Sequence, residues 1–220
     1  MTTKLKDIAI NKHALALHTT TPELGLVISN FDGETRSQIW NLGRDLSSLV
    51  HQYLIEFIKP QTWADLSFIA VAKGPGGFTG TRIGVVTART LGQQLDIPVF
   101  AISTLAAVAW AEAGKSQNIK TKTFAVEMPA QRGQIFAAIY QFEPDTSKLK
   151  VCLSDRVLTP EVWQETLTNW NTNYQLIQAQ SGLAATVTSI LELANLDWQE
   201  GKFPNWSEAL PYYGQHPVEV

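Results

Sequence analysis

The chain has 220 residues, 45% of them hydrophobic and 17% charged, with a formal net charge of −3. That is enough apolar chain for one large domain or two small lobes. It carries no basic excess of the kind a nucleic-acid binder shows, and no apolar run of membrane-spanning length. The single cysteine, Cys152, excludes an intrachain disulfide and a cysteine metal cluster. Its apolar setting, Val151-Cys152-Leu153, predicts a packed thiol rather than a nucleophile. The opening Met1-Thr2-Thr3-Lys4-Leu5-Lys6 lacks the apolar core of a signal peptide, and a cytoplasmic location is expected.

The first elements are two apolar strands, Ala14-Leu15-Ala16-Leu17 and Gly25-Leu26-Val27-Ile28-Ser29-Asn30. Asp32-Gly33 then signals a hairpin into a third strand over 36–41, an antiparallel meander. Leu46, Leu49, Val50, Tyr53, Leu54, Phe57 and Ile58 recur at spacings of three and four, predicting a helix over 45–59 that Pro60 stops. A strand over 67–73 leads through a glycine loop into a helix over 79–95. Pro98-Val99-Phe100-Ala101-Ile102 makes a further strand, and Ser103 caps a helix running to 113. The order then partly repeats: strands over 123–128, 135–141 and 149–157, a helix from 161 begun by Pro160, a short strand over 174–177, and a helix over 183–196. Gly114–Lys122 is the only linker candidate. The fold class expected is α/β, with two related lobes of mixed sheet and covering helices, 1–113 and a reduced 114–220.

The most informative residues are Gly74-Pro75-Gly76-Gly77-Phe78-Thr79-Gly80. A strand, a glycine loop and a helix N-terminus expose backbone N–H groups and admit a closely approaching surface. Gly74, Gly76, Gly77 and Thr79 are therefore candidate anion contacts; the alternative is a tight turn with no ligand, and the residues leave both open. No Gly-Lys-Ser/Thr follows, so this is not a P-loop, and Thr79 breaks the dinucleotide fingerprint. Along the next helix Gly80, Gly84, Ala88 and Gly92 fall four apart and form one small-residue stripe. Each helical glycine costs about 1 kcal/mol against alanine, so a close approach must compensate. The approaching element is either the protein's own sheet or another subunit's helix. Taken as an exposed ridge, the stripe predicts a partner interface of Gly80, Arg82, Ile83, Gly84, Thr87, Ala88, Arg89, Leu91 and Gly92.

Catalytic constellations are scarce. His13, His18, His51 and His216 have no metal-ligand spacing, and no serine sits in a Gly-x-Ser-x-Gly elbow. Thr19-Thr20-Thr21 after His18 reads as a turn satisfied by its own hydroxyls. Arg132, beside a turn after Glu127, reads as a solvated surface arginine. No acid–base pair, metal site or cofactor is expected.

The run from Gly74 to Gly84, with Ala88, Gly92 and Ile102-Ser103-Thr104-Leu105, resembles the TsaB/YeaZ family, the dimerisation subunits of the bacterial complex that makes threonylcarbamoyladenosine at tRNA position 37. The resemblance implies a fold of the actin, hexokinase and Hsp70 type with two RNase-H-like lobes. It also implies a non-catalytic subunit that pairs, through helices of its first lobe, with the catalytic TsaD-type transferase. A TsaE-type ATPase joins the assembly, tRNA is engaged indirectly, and the isolated subunit forms a homodimer. Three positions depart from the family pattern: His18-Thr19 replaces Asp-Thr, Asp45-Leu46-Ser47 replaces a His-Ser, and Pro129-Ala130-Gln131 with Arg132 replaces Asp-x-Arg. In active relatives the first aspartate helps hold a metal–nucleotide complex, and histidine supplies no hard anionic oxygen. The alternative functions are a small ATP-dependent phosphotransferase of the same fold and, last, a peptidase.

Overall fold

The computed structural model describes residues 12–115 and 122–215. The first half runs β1 (His13–His18), β2 (Glu23–Ser29), β3 (Thr35–Asn41), α1 (Leu46–Phe57), β4 (Leu66–Ala72), α2 (Phe78–Leu95), β5 (Val99–Ile102) and α3 (Thr104–Gly114). The second runs β6 (Lys122–Pro129), β7 (Ile135–Glu143), β8 (Lys148–Leu158), α4 (Pro160–Thr168), β9 (Tyr174–Gln178) and α5 (Val187–Gln199). The strand orders are β3-β2-β1-β4-β5 and β8-β7-β6-β9. The two halves therefore share one plan, an antiparallel meander extended by parallel strands, with the last strand missing from the second. The residues expected as a linker fall largely on 116–121, outside the described residues, as do Met1–Lys6 and His216. No helix among the described residues is long and apolar enough to cross a membrane.

Local chemistry explains the elements. The Asn30 side chain accepts from the N–H groups of Asp32 and Glu34 at 2.8 and 3.0 Å and holds the β2–β3 turn. Phe31 and Gly33 there carry positive φ, 56° and 89°. The helix expected over 183–196 begins as a 3₁₀ turn, Leu183–Thr186, entered through Gly182 at φ 70°.

The two faces of the first sheet differ in side-chain size, and this sets the layers. Leu15, Leu17, Ile69 and Val71 meet Leu46, Val50 and Leu54 of α1 and Val85 and Ala88 of α2. On the opposite face Ala14, Ala16, Ala70 and Ala72 leave room for Val187, Ile190, Leu191 and Ala194 of α5. So α5, the last helix of the second half, covers the sheet of the first. In exchange α3 sends Leu105, Val108, Ala109 and Ala113 onto Phe124, Val126, Phe136 and Ala138 of the second sheet. Helix α4 closes the far side with Trp163 and Leu167. The halves are thus bonded through a shared helical layer of α3 and α5, and their relative position is set by buried apolar contact.

In the second sheet an expectation from the sequence is overturned. Cys152 is exposed rather than packed. Ile139 pairs with Leu153 and Tyr140 with Val151, so Cys152 is the extra residue of a β-bulge and its side chain leaves the alternation.

Ser103 Oγ accepts from the N–H groups of Leu105 and Ala106 at 3.1 and 3.2 Å and so starts α3 between the sheets. Ser103→Ala is expected to cost about 1 kcal/mol, read as a lowered urea midpoint at unchanged m-value.

Candidate functional site: the glycine loop, helix α2 and the cleft between the lobes

The glycine loop is held by the chain itself. Gly74, at φ +100°, accepts the N–H of Thr104 at 2.9 Å through its carbonyl, and Tyr212 N–H donates to Lys73 O at 2.7 Å. Gly77 N–H donates to Thr20 O at 2.7 Å, and Gly76 lies directly against Thr20. Thr19 Oγ1 donates to Gly80 O at 2.8 Å. The Gly77 N–H offered by the sequence as an anion contact is therefore committed to the Thr20 carbonyl. Gly74 and Gly76 pack against Tyr212 and Thr20, and Thr79 stands exposed.

The small-residue stripe of α2 faces inward, and the ridge expected to meet a partner is sealed. A Cβ at Gly80 would run into the Thr19 carbonyl oxygen, one at Gly84 into Thr19 Oγ1, and one at Gly92 into a methyl of Val99, with Trp206 Cβ at 3.1 Å. Ala88 is fully buried and Thr87 is 7% exposed. Gly80, Gly84, Ala88 and Gly92 are corrected from interface residues to contacts that seat α2 on its own sheet, and Thr87 is corrected to a buried position. The physical reason is the approach distance: a side chain would meet the Thr19 backbone at Gly80, the Thr19 hydroxyl at Gly84 and the Val99 side chain at Gly92. Arg82 remains exposed, and Ile83, Arg89 and Leu91 are half-buried. Val86 of α2 and Ile55 of α1 also stand on the surface, 53% and 54% exposed. Sequence reasoning missed Ile55; its signal was an apolar residue outside the three-four stripe of α1. Arg82 and Arg89 form no ion pair among the described residues.

A cleft of about 900 Å³ opens between the lobes. One wall is Thr19–Thr21 with Gly76–Gly80, and Arg44 and Ser47 stand beside it. Pro129, Ala130 and Gln131 come from the second lobe, and the rings of Phe78 and Tyr213 pack at 4.4 Å. Arg44 is the one charged side chain among the described lining residues, and no carboxylate is among them. The fold thus gathers, around one cavity, Ser47 and Pro129–Gln131, which the sequence singled out separately. Glu127 does not join them: its carboxylate accepts from Trp163 Nε1 at 2.6 Å and Gln178 Nε2 at 3.0 Å and ties α4 and β9 to β6. Arg132 sits at φ 58° in the following turn.

His18 ends β1 fully buried, and neither ring nitrogen has a hydrogen-bond partner among the described residues. Burial alone drives its pKa down to about 3, so the ring is neutral at physiological pH. A carboxylate here would be an anion in the same dry setting; a neutral imidazole is the less costly occupant. Among the described residues no group of three or more His, Cys, Asp or Glu side chains is placed to hold a metal ion.

The family model described as TsaD, tRNA N6-adenosine threonylcarbamoyltransferase, matches residues 44–191. The tRNA threonylcarbamoyladenosine biosynthesis protein TsaB of Bacillus subtilis is 37% identical over 134 residues, which are 59% of this chain and 55% of that one. The chain thus matches about half the length of that relative. The TsaB protein of Buchnera aphidicola (subspecies Acyrthosiphon pisum) is 26% identical over 162 residues, 72% of this chain and 70% of that one. Among solved structures, YeaZ from Pseudomonas aeruginosa superposes with a TM-score of 0.70 at 23% identity over 92% of this chain and 99% of that one. A second Pseudomonas aeruginosa structure, of a protein described as similar to peptidase YEAZ, gives 0.74 at 21% identity over 93% and 100%. These likenesses establish the fold.

Gly80→Ala is expected to destabilise the protein by about 1–3 kcal/mol, although alanine is the better helix former; a stability gain in urea titration would contradict the seating of α2. For His18 the folded-state pKa lies below the unfolded value, so the unfolded chain binds the proton first. Its contribution is complete above pH 6.5 and is lost as pH falls from 6.5 towards 3. The slope is about 1.4 kcal/mol per pH unit across that window. His18→Asn is expected to flatten the urea midpoint between pH 6 and pH 4 relative to the parent protein.

Proposed function

This chain belongs to the TsaB/YeaZ family, and from that premise we propose that it is the non-catalytic subunit of a tRNA threonylcarbamoyladenosine complex, binding and activating a TsaD-type catalytic partner. Residues 1–113 serve as the pairing lobe and 114–220 as the reduced lobe. The observation that carries this reading is the internally closed glycine loop. Gly77 N–H is taken by Thr20, Gly80 O by Thr19, and the ring at the end of β1 is a neutral, buried histidine. A phosphate-transferring member of this architecture needs free amide donors for its ligand and anionic oxygens for the accompanying metal. The Gly77 amide is already taken and no carboxylate is among the described residues lining this cleft, which supports a subunit that acts through its partner. A TsaE-type ATPase and the tRNA are engaged through the complex, in the cytoplasm.

The pairing surface in this reading is the outer face of α1 and α2. Val86 and Ile55 supply apolar contact, with Ile83 and Leu91 contributing, and Arg82 and Arg89, which have no ion pair among the described residues, offer guanidinium groups to acidic side chains of the partner. Gly80, Gly84 and Ala88 contribute indirectly by holding α2 flat on the sheet.

The test is reconstitution of threonylcarbamoyl transfer to tRNA adenosine 37 by a TsaD-type subunit with and without this chain. Turnover is expected to depend on the added chain, and the chain alone is expected to transfer nothing. Ile55→Asp combined with Val86→Asp is expected to leave the urea midpoint within about 0.5 kcal/mol of the parent, since both side chains are exposed, and to weaken association with the partner at least about tenfold. Association at the parent affinity would remove α1 and α2 from the interface.

A further inference from the structure

The second sheet has two edges, β8 and β9, and they are built differently. Strand β8 carries Lys148, Lys150, Asp155 and Arg156 and a bulge at Cys152, devices that discourage pairing with another chain. Strand β9, Tyr-Gln-Leu-Ile-Gln, has no charge, no proline and no bulge. It lies within residues 166–191, the longest stretch of the chain without Asp, Glu, Lys or Arg. In the first sheet β4 holds the corresponding place and is paired with β5; β9 has no such neighbour among the described residues.

Hydrogen-bond parity determines which peptide groups of β9 are left over. Ala179 N–H donates to Glu127 O at 2.8 Å, and β9 runs parallel to β6 with Gln178 beside Glu127. Gln175 and Ile177 therefore turn their N–H and C=O groups to β6, and Tyr174, Leu176 and Gln178 turn theirs outward. These outward groups make no hydrogen bond among the described residues. The side chains of Tyr174 and Leu176, 37% and 43% exposed, project on the face of the sheet that Ala125 shares. Two carboxylates reach the strand, and both are occupied within the chain. Gln178 Nε2 donates to Glu127 at 3.0 Å, and Gln175 Nε2 donates at 2.8 Å to Glu112, which also pairs with Lys115.

We propose that β9 pairs with β9 of a second copy of this chain, antiparallel, about a two-fold axis at Leu176. Leu176 exchanges both backbone bonds with the partner's Leu176, and Tyr174 does so with the partner's Gln178. Every outward donor then meets an outward acceptor, and two four-stranded sheets join into one of eight strands. In this register leucine packs on leucine and tyrosine on glutamine, and no like charges are opposed. A different protein is usually oriented by complementary charge, and this edge offers none. The edge belongs to the second lobe and α1 and α2 to the first, so the proposal stands independently of the pairing described above.

The helical face is first disabled by Ile55→Asp with Val86→Asp, so that any dimer observed is formed elsewhere. Sedimentation velocity of that chain from about 5 to about 500 µM is expected to show a concentration-dependent monomer–dimer equilibrium. In the same background Leu176→Lys and Leu176→Glu each set two like charges against one another on the axis. Each is expected to fold, since Leu176 is exposed, and to weaken the dimer at least about tenfold. Mixed in equal amounts, the two variants are expected to form a mixed dimer, because the axis then holds opposite charges. In the unmutated chain the Leu176 amide is expected to exchange its hydrogen more slowly as concentration rises, a readout that needs no variant. A chain that stays monomeric throughout, a dimer that Leu176→Lys leaves unchanged, a mixture of the two variants that stays monomeric, or a Leu176 amide whose exchange ignores concentration would each overturn the proposal.

Discussion

The contact between α2 and the Thr19–Thr20 turn is the constraint on which the rest of this structure depends. Thr19 Oγ1 bonds to the Gly80 carbonyl and the Thr20 carbonyl to the Gly77 amide, and a Cβ at Gly76, Gly80 or Gly84 would overlap Thr19 or Thr20. Such contact is available only to glycine. It fixes the depth at which α2 lies on the sheet, the direction in which its outer face looks, and the closed state of the loop that precedes it. The helix-propensity cost of the glycines is offset inside the molecule rather than across an interface.

That closure has an electrostatic consequence. A helix N-terminus after a glycine loop is a site for an anion when its amides are free. Here the nearest amide is filled by a carbonyl of the same chain, the adjoining buried ring is neutral, and the described cleft wall has one arginine and no carboxylate. The cleft lining is mainly apolar, with the Arg44 guanidinium as its one charge among the described residues. Its geometry is that of a two-lobed fold, while its chemistry matches a subunit whose contribution is made through contact with another protein, which is the basis of the function proposed above.

The two sheets are not independent modules. Helix α5 fills the alanine-lined face of the first sheet and α3 the apolar face of the second, so each half completes the core of the other. This leaves the far face of the first sheet to α1 and α2 and leaves β5 as an edge only partly covered by the segment that returns from α5. One exposed surface follows from this packing: an apolar, arginine-bearing helical face.

Nearly every element was legible from the chain alone, because apolar period and punctuation are local. The Asp32-Gly33 hairpin, the Ser103 and Pro160 helix starts and the doubled order of strands and helices all depend on residues close in sequence. The glycine motif also carried the family, since a loop with so many backbone constraints tolerates few alternatives. What the sequence could not determine was the side from which each surface is approached. A stripe of Gly80, Gly84, Ala88 and Gly92 states that something comes close, and only the position of Thr19, sixty-one residues from Gly80, states that it is the chain itself. Cys152 left its apolar alternation through a bulge set by pairing with β7, and His18 lost its charge through burial that no neighbour in sequence announces. Periodicity is a property of adjacent residues; burial, register and the choice between self and partner are properties of distant ones, and these the tertiary structure alone decided.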